Sequence, residues 1–289
     1  QINLGFCLPN KHLRSFAVYI RVHLRSKIHM TSFRPRKRFG QHFLHDRSVV
    51  ARIVAALAPQ AGDHVVEIGP GTGALTRDLL ARMTHLDAVE LDRDLLARLE
   101  TEFPRDRLTL HNADALKFDF CKIASGFGKL RVIGNLPYNI STPLLFHLLD
   151  QAGCIKDMLF MLQKEVVERL RAAPGGKDYG RLSVMIQYRC AVEKLFDVAP
   201  GAFTPPPKVD SAVVRLVPHA RPPVAVDDPA RFALLVRAAF ASRRKTLRNN
   251  MKGLLSAEDM LALGIDPVRR AETLSLAEFA ALSNAAGHN

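Results

Sequence analysis

Tryptophan is absent from this 289-residue chain and cysteine is scarce, with only Cys7, Cys121, Cys154 and Cys190, all widely separated. None of them forms a Cys-x-x-Cys pair or shows metal-ligand spacing, which excludes a zinc module and a dense disulfide framework. Buried or incidental thiols in a reducing compartment are the expectation. Long apolar runs are missing too. No stretch reaches bilayer-spanning length although hydrophobic residues make up 48% of the chain, so a soluble protein with no membrane partner is expected. Acidic residues are missing from positions 1–45, which hold nine Lys or Arg; the net charge of +13 therefore shrinks to +4 over the remainder. No internal repeat or low-complexity block is present.

What the chain does contain is an alternation of apolar runs with helical patterns. The run at 131–134 ends in Asn135-Leu136-Pro137-Tyr138. That is the position at which a buried strand of an open α/β sheet opens into a ligand cleft. The Asn side-chain oxygen and the Leu136 carbonyl can each accept a hydrogen bond from an exocyclic NH₂, Pro137 stiffens the turn, and Tyr138 offers a ring for stacking. The set suits a planar amine such as adenine; a turn packed on the core is the plainer alternative.

Upstream, 64–68 reads as a buried strand entering Gly69-Pro70-Gly71-Thr72-Gly73, followed by helical spacing over 74–82. Glycines here let the backbone approach a ligand and expose the first amides of the helix. Their Gly-x-Gly-x-Gly spacing, with Glu67 two places ahead, differs from the Gly-x-Gly-x-x-Gly of dinucleotide enzymes and favours S-adenosylmethionine over NAD. A strand at 86–91 carries Glu90, placed to take two ribose hydroxyls. A third at 108–112 leads to Asp114, placed for the cofactor's adenine amine. Helices are expected at 142–149 and 164–171 and a strand at 158–162. Strands at 183–190 and 212–217 without an intervening helix suggest an antiparallel edge. Residues 218–229, with four prolines, read as a linker, and helical patterns at 230–241, 257–263 and 276–284 predict a small helical domain.

Basic residues concentrate at Arg237, Arg243, Arg244, Lys245, Arg248 and Lys252, with apolar Leu235, Val236, Phe240 and Leu247 interleaved. The pattern predicts a helix docked on the body with its basic face toward RNA phosphates, the alternative being an ordinary solvated face.

Taken with 36–44, 162–167, 179–184 and 203–211, these motifs resemble the bacterial small-subunit ribosomal RNA adenine N6-dimethyltransferase family from about residue 34 to near the C-terminus. The resemblance implies a Rossmann-like class I S-adenosylmethionine-dependent methyltransferase sheet at 30–217, the linker at 218–229 and an RNA- or ribosome-binding helical domain at 230–289. Residues 1–29 match nothing in the family. They read as upstream sequence ahead of a start at Met30, although their Arg-rich amphipathic pattern also fits a transit peptide. The implied activity is dimethylation of the N6 amines of two adjacent adenosines near the 3′ end of small-subunit rRNA, by a monomeric cytoplasmic enzyme that needs no metal. The family's cofactor positions fall on His42, Leu44, Gly69, Glu90, Asp114 and Asn135, and its target-base positions on Asn135, Leu136, Pro137, Tyr138 and Phe203, the last covering the other face of the base. His42 stands where the family more often has Asn, so its backbone contact is the firmer implication. A large-subunit rRNA adenine methyltransferase, a non-catalytic RNA-binding assembly or transcription factor on the same fold, and a nicotinamide dehydrogenase are the competing readings.

Overall fold

The computed structural model of the chain describes residues 41–124 and 128–286, so the expected 1–29 extension and the basic arm at 34–38 lie outside the described residues. A short strand, β1 (Phe43–Leu44), enters α1 (Arg47–Leu57) through Asp46, whose carboxylate accepts from Ser48 N at 2.8 Å and Val49 N at 3.2 Å. That satisfies two of the orphan amides of the first helical turn. Next come β2 (His64–Ile68), α2 (Ala74–Leu80), β3 (Leu86–Glu90), α3 (Arg93–Glu102), β4 (Leu108–Asn112), α4 (Phe120–Ile123), β5 (Leu130–Asn135), α5 (Ser141–Asp150), β6 (Ile155–Gln163), α6 (Lys164–Arg171) and α7 (Arg181–Arg189). Three more strands follow, β7 (Cys190–Val198), β8 (Phe203–Thr204) and β9 (Ser211–Pro218), of which β8 pairs with β1 in a separate two-stranded sheet.

Seven strands run in the order β4-β3-β2-β5-β6-β9-β7, parallel except for β9, which is antiparallel to both neighbours. Both faces are covered, as a parallel sheet requires. Along β6 the side chains of Met158, Phe160 and Leu162 join a core with α5 and α6, while Leu159 and Met161 join a second core with α1 and α2. This is the two-residue period of a strand, and it explains why central strands read as continuous apolar runs.

The expected strand at 183–190 is instead α7, a correction with a packing cause. Ile186 joins the sheet core whereas Val184, Met185 and Tyr188 join the core of the C-terminal helices, so α7 is apolar on more than one side and its helical period is masked. The antiparallel component does exist, but β9 lies one strand in from the edge and β7 forms the edge. After β9, residues 219–228 carry no helix or strand, and Val224 and Val226 pack on the C-terminal core. That core is built by α8 (Pro229–Ala239), α9 (Leu247–Asn250), α10 (Ala257–Ala262) and α11 (Leu276–Ala285). The basic segment is therefore not one helix: α8 stops at Ala239, and exposed Arg243, Arg244 and Lys245 sit on the turn before α9.

The cysteines also need correction. Cys121 and Cys154, 33 residues apart, are joined in a disulfide between α4 and the short turn just ahead of β6, and only Cys190 is a buried free thiol among the described residues.

Candidate active site

The strand order reverses at β2, which pairs with β3 on one side and β5 on the other. Two loops leaving the carboxyl ends of such strands diverge, and the gap between them is where open α/β sheets hold ligands. A cavity lies there, lined by residues of the β2 turn, the β3 and β4 ends, the β5 loop and the segment 41–44. His42, Leu44, Gly69, Glu90, Asp114, Asn135, Leu136, Pro137 and Tyr138 all line it.

The floor is the glycine turn. Gly69, Gly71 and Gly73 have φ of 67°, 56° and 79°, the left-handed region that side chains avoid. At Gly71 a Cβ would also come within 3.1 Å of the Phe43 ring, so the turn and the overlying β1 segment are in tight apposition. Behind the turn, Glu67 is 1% exposed and accepts from Thr76 Oγ1 at 2.6 Å. Burial pushes its carboxyl up to about 7, with Glu90 adding to the rise and the Thr76 hydroxyl opposing it. Glu90, at the end of β3, accepts from Asp92 N at 2.9 Å and from Gly71 N at 3.4 Å. Desolvation raises its carboxyl as well, despite those amides. Asp114 caps its own turn by accepting from Leu116 N at 3.0 Å.

Across the cavity, Asn135 Nδ2 donates to the His42 carbonyl at 2.9 Å, which leaves Oδ1 as the acceptor on that amide. The Tyr138 hydroxyl shares a hydrogen bond with Ser211 Oγ at 2.7 Å, and burial raises the phenol above its ordinary range. The His42 ring stacks on Tyr138 at 5.6 Å between centroids and 27° between planes, and its Nδ1 donates to the Pro205 carbonyl at 2.8 Å. The segment carrying His42 is held by pairing of β1 with β8, Leu44 opposite Phe203.

Phe203 is the expected site residue that the structure does not bring to the cavity. It is 2% exposed and belongs to β8, the strand that holds the 41–44 segment in place, and its side chain packs in the core shared with Leu44 and α1. Conversely, Glu67, Thr72, Leu91 and Leu116 line the cavity without having been assigned to it. Leu91 carried a readable signal, an apolar residue directly after the strand-end acid, and it is 49% exposed. Among the described residues there is no group of three or more His, Cys, Asp or Glu arranged to hold a metal.

Comparison with known proteins gives a consistent picture. A family model described as ribosomal RNA adenine dimethylase matches residues 32–287. The chain is 58% identical over 255 residues to ribosomal RNA small subunit methyltransferase A of Alcanivorax borkumensis, covering 88% of this chain and 91% of that one. It is 61% identical to the protein of that description from Thiobacillus denitrificans, over 86% and 96% of the two chains. Among solved structures, a dimethyladenosine transferase from Plasmodium falciparum is similar with a TM-score of 0.69 and 27% identity, covering 83% of this chain and 96% of that one. The 23S rRNA methyltransferase ErmE is similar with a TM-score of 0.64 and 25% identity, over 85% and 99%.

Proposed function

The chain belongs to the ribosomal RNA adenine dimethylase family, and from that premise we propose how its cavity carries out the family's reaction. The protein is an S-adenosylmethionine-dependent methyltransferase that dimethylates the N6 amines of two adjacent adenosines near the 3′ end of small-subunit ribosomal RNA. In this reading it works as a cytoplasmic monomer on the small subunit and uses no metal.

The observation that carries the assignment of roles is one cavity with a buried strand-end carboxylate, Glu90, on one wall and the Asn135–Tyr138 loop on another. The residues fit the cofactor: the turn at Gly69 and Gly71 makes room where a Cβ would be strained, and Glu90 can accept from both ribose hydroxyls. Asp114 takes the adenine amine, Leu91 and Leu116 provide apolar walls, and the backbone of His42 and Leu44 closes the mouth. When bound, S-adenosylmethionine supplies a methyl group on a sulfonium leaving group.

The protein's remaining task is to present the target amine. Its lone pair is delocalised into the purine, and acceptance of N6–H hydrogens by Asn135 Oδ1 and the Leu136 carbonyl favours a pyramidal nitrogen aimed at the methyl carbon. Tyr138, fixed by Ser211 and His42, gives the base a stacking surface. Holding both partners in line is worth about 7–11 kcal/mol in favourable cases, so no strong base is needed. Each transfer ends with one N6 proton passing to solvent, and the single N6–H that survives the first keeps a hydrogen bond to one of the two acceptors for the second.

The test is to incubate the protein with labelled S-adenosylmethionine and under-methylated small subunits, large subunits or naked RNA, and to map the label. Label on paired adenosines of the small subunit is expected. Label confined to large-subunit RNA would favour the ErmE-like alternative, and no label on any substrate would favour a non-catalytic factor.

A further inference from the structure

A second, polar cleft opens on the same edge of the sheet as the target-base loop, one strand further along. Asn135 of β5 pairs with Met161 of β6, and two residues later, about 7 Å on, Gln163 forms the wall of this cleft. Gln163 pairs with Ser211, the residue that holds the Tyr138 hydroxyl. Lys164 N donates to the Asp210 carbonyl at 2.9 Å, which joins the opposite wall. Lys177 and Lys208 complete the lining, and the Lys177 carbonyl accepts from the Arg243 guanidinium, so the cleft runs from the target-base loop to the basic turn ahead of α9.

The charges sort unevenly. Glu165 is paired with Arg169, Glu168 with Arg171 and Lys194, and Lys164 with Asp197. Lys177 and Lys208 are exposed and make no ion pair among the described residues. Asp178 and Asp210, also lining the cleft, make no ion pair among the described residues either. Two uncommitted ammonium groups and two uncommitted carboxylates fit a ribose-phosphate backbone, with phosphates for the lysines and 2′-hydroxyls for the aspartates, better than a bare polyphosphate.

We propose that this cleft seats the RNA backbone next to the target adenosine, with Lys177 and Lys208 each meeting a phosphate, and that it carries the strand between the methylation site and the basic turn. The proposal rests on the rRNA-methylating function argued above. It gives the segments around Lys164 and Lys208, which the methyl-transfer chemistry leaves without a task, a role in substrate binding.

The experiment measures binding of under-methylated small subunits across a salt series for wild type, the double variant Lys177→Gln/Lys208→Gln, and Lys177→Arg/Lys208→Arg. Loss of two phosphate contacts should flatten the slope of log affinity against log salt by roughly 1.4–1.8 in the Gln variant, whereas the Arg variant keeps the wild-type slope. KM for the RNA should rise in the Gln variant while kcat and S-adenosylmethionine affinity stay unchanged. A wild-type salt slope in the Gln variant overturns the proposal. Failure of the wild-type protein to methylate small subunits would instead overturn the function on which it rests, so the two failures are distinct.

Discussion

Glu67 and Glu90 are two neighbouring carboxyls taken out of water beside the same glycine turn, and burial raises both. Glu67 titrates at about 7 in the folded protein, above its ordinary 4.5. The folded state then binds more protons than the unfolded state between those values, so this contribution to stability is complete below about 4.5 and is lost as pH rises through about 7. Its size is on the order of 3 kcal/mol. The melting temperature of the cofactor-free protein should fall between pH 5 and pH 8, roughly the window of that titration, and Glu67→Gln should remove most of the fall. An unchanged pH profile in the variant would show that Glu67 is not the titrating group.

Glu90 and Asn135 make a contrasting pair. Glu90→Ala leaves ribose hydroxyls without a charged acceptor and should weaken S-adenosylmethionine about 10- to 100-fold by calorimetry, the cost of about 1.5–3 kcal/mol for a charged hydrogen bond. Asn135→Ala should leave RNA binding near wild type and cut methyl transfer about a hundredfold, because its oxygen acts on the reacting amine. Near-normal turnover by that variant would sink the mechanism.

Among the elements, the spacing of β2 and β5 sets the site, because Gly69 leaves one and Asn135 ends the other. Gly134 permits that spacing: a Cβ there would stand 2.5 Å from the Ile68 carbonyl oxygen, a clash with backbone rather than with a side chain that can turn away. Gly134→Ala should therefore cost about 1–3 kcal/mol, seen as a fall of roughly 2–12 °C in melting temperature, and reduce methyl transfer in the fraction that folds. Wild-type melting and activity together would mean the strands have room to part. The same scale shows where pattern reading succeeds. β4 and α6 fall on the expected residues 108–112 and 164–171, since each has one buried face and clear ends. α7 escaped because its neighbours cover it from two sides, and period carries no information once most positions are buried.

For the whole molecule, the C-terminal helices share a core with α7, so the basic turn is fixed relative to the catalytic sheet. Asn250 Nδ2 donates to the Ala239 carbonyl at 2.6 Å and the Ser242 carbonyl at 3.0 Å, which shapes that turn. Arg243 is engaged with the Lys177 carbonyl, so Arg244, Lys245 and Arg248 are the residues to test. Their joint replacement by Gln should flatten the salt dependence of small-subunit binding by roughly 2–3, with cofactor affinity unchanged. An equal slope would make the turn an ordinary solvated surface and return attention to Arg34, Arg36, Lys37 and Arg38.

The sequence by itself determined the sheet's chemistry: the order of strand ends bearing glycines, Glu90, Asp114 and Asn135, and hence the cavity and its class of reaction. Those features are local, because glycine spacing, a proline-stiffened loop and an acid at a strand end constrain the backbone within a few residues. What only the tertiary structure decided are pairings across long separations. Asn135 meets the carbonyl of His42, 93 residues away; Cys121 meets Cys154; and Tyr138 meets Ser211, 73 residues away. Phe203 sinks into the core, and burial lifts Glu67 to about 7. Each depends on which surfaces pack together and how much water they exclude, and no window of sequence contains that information.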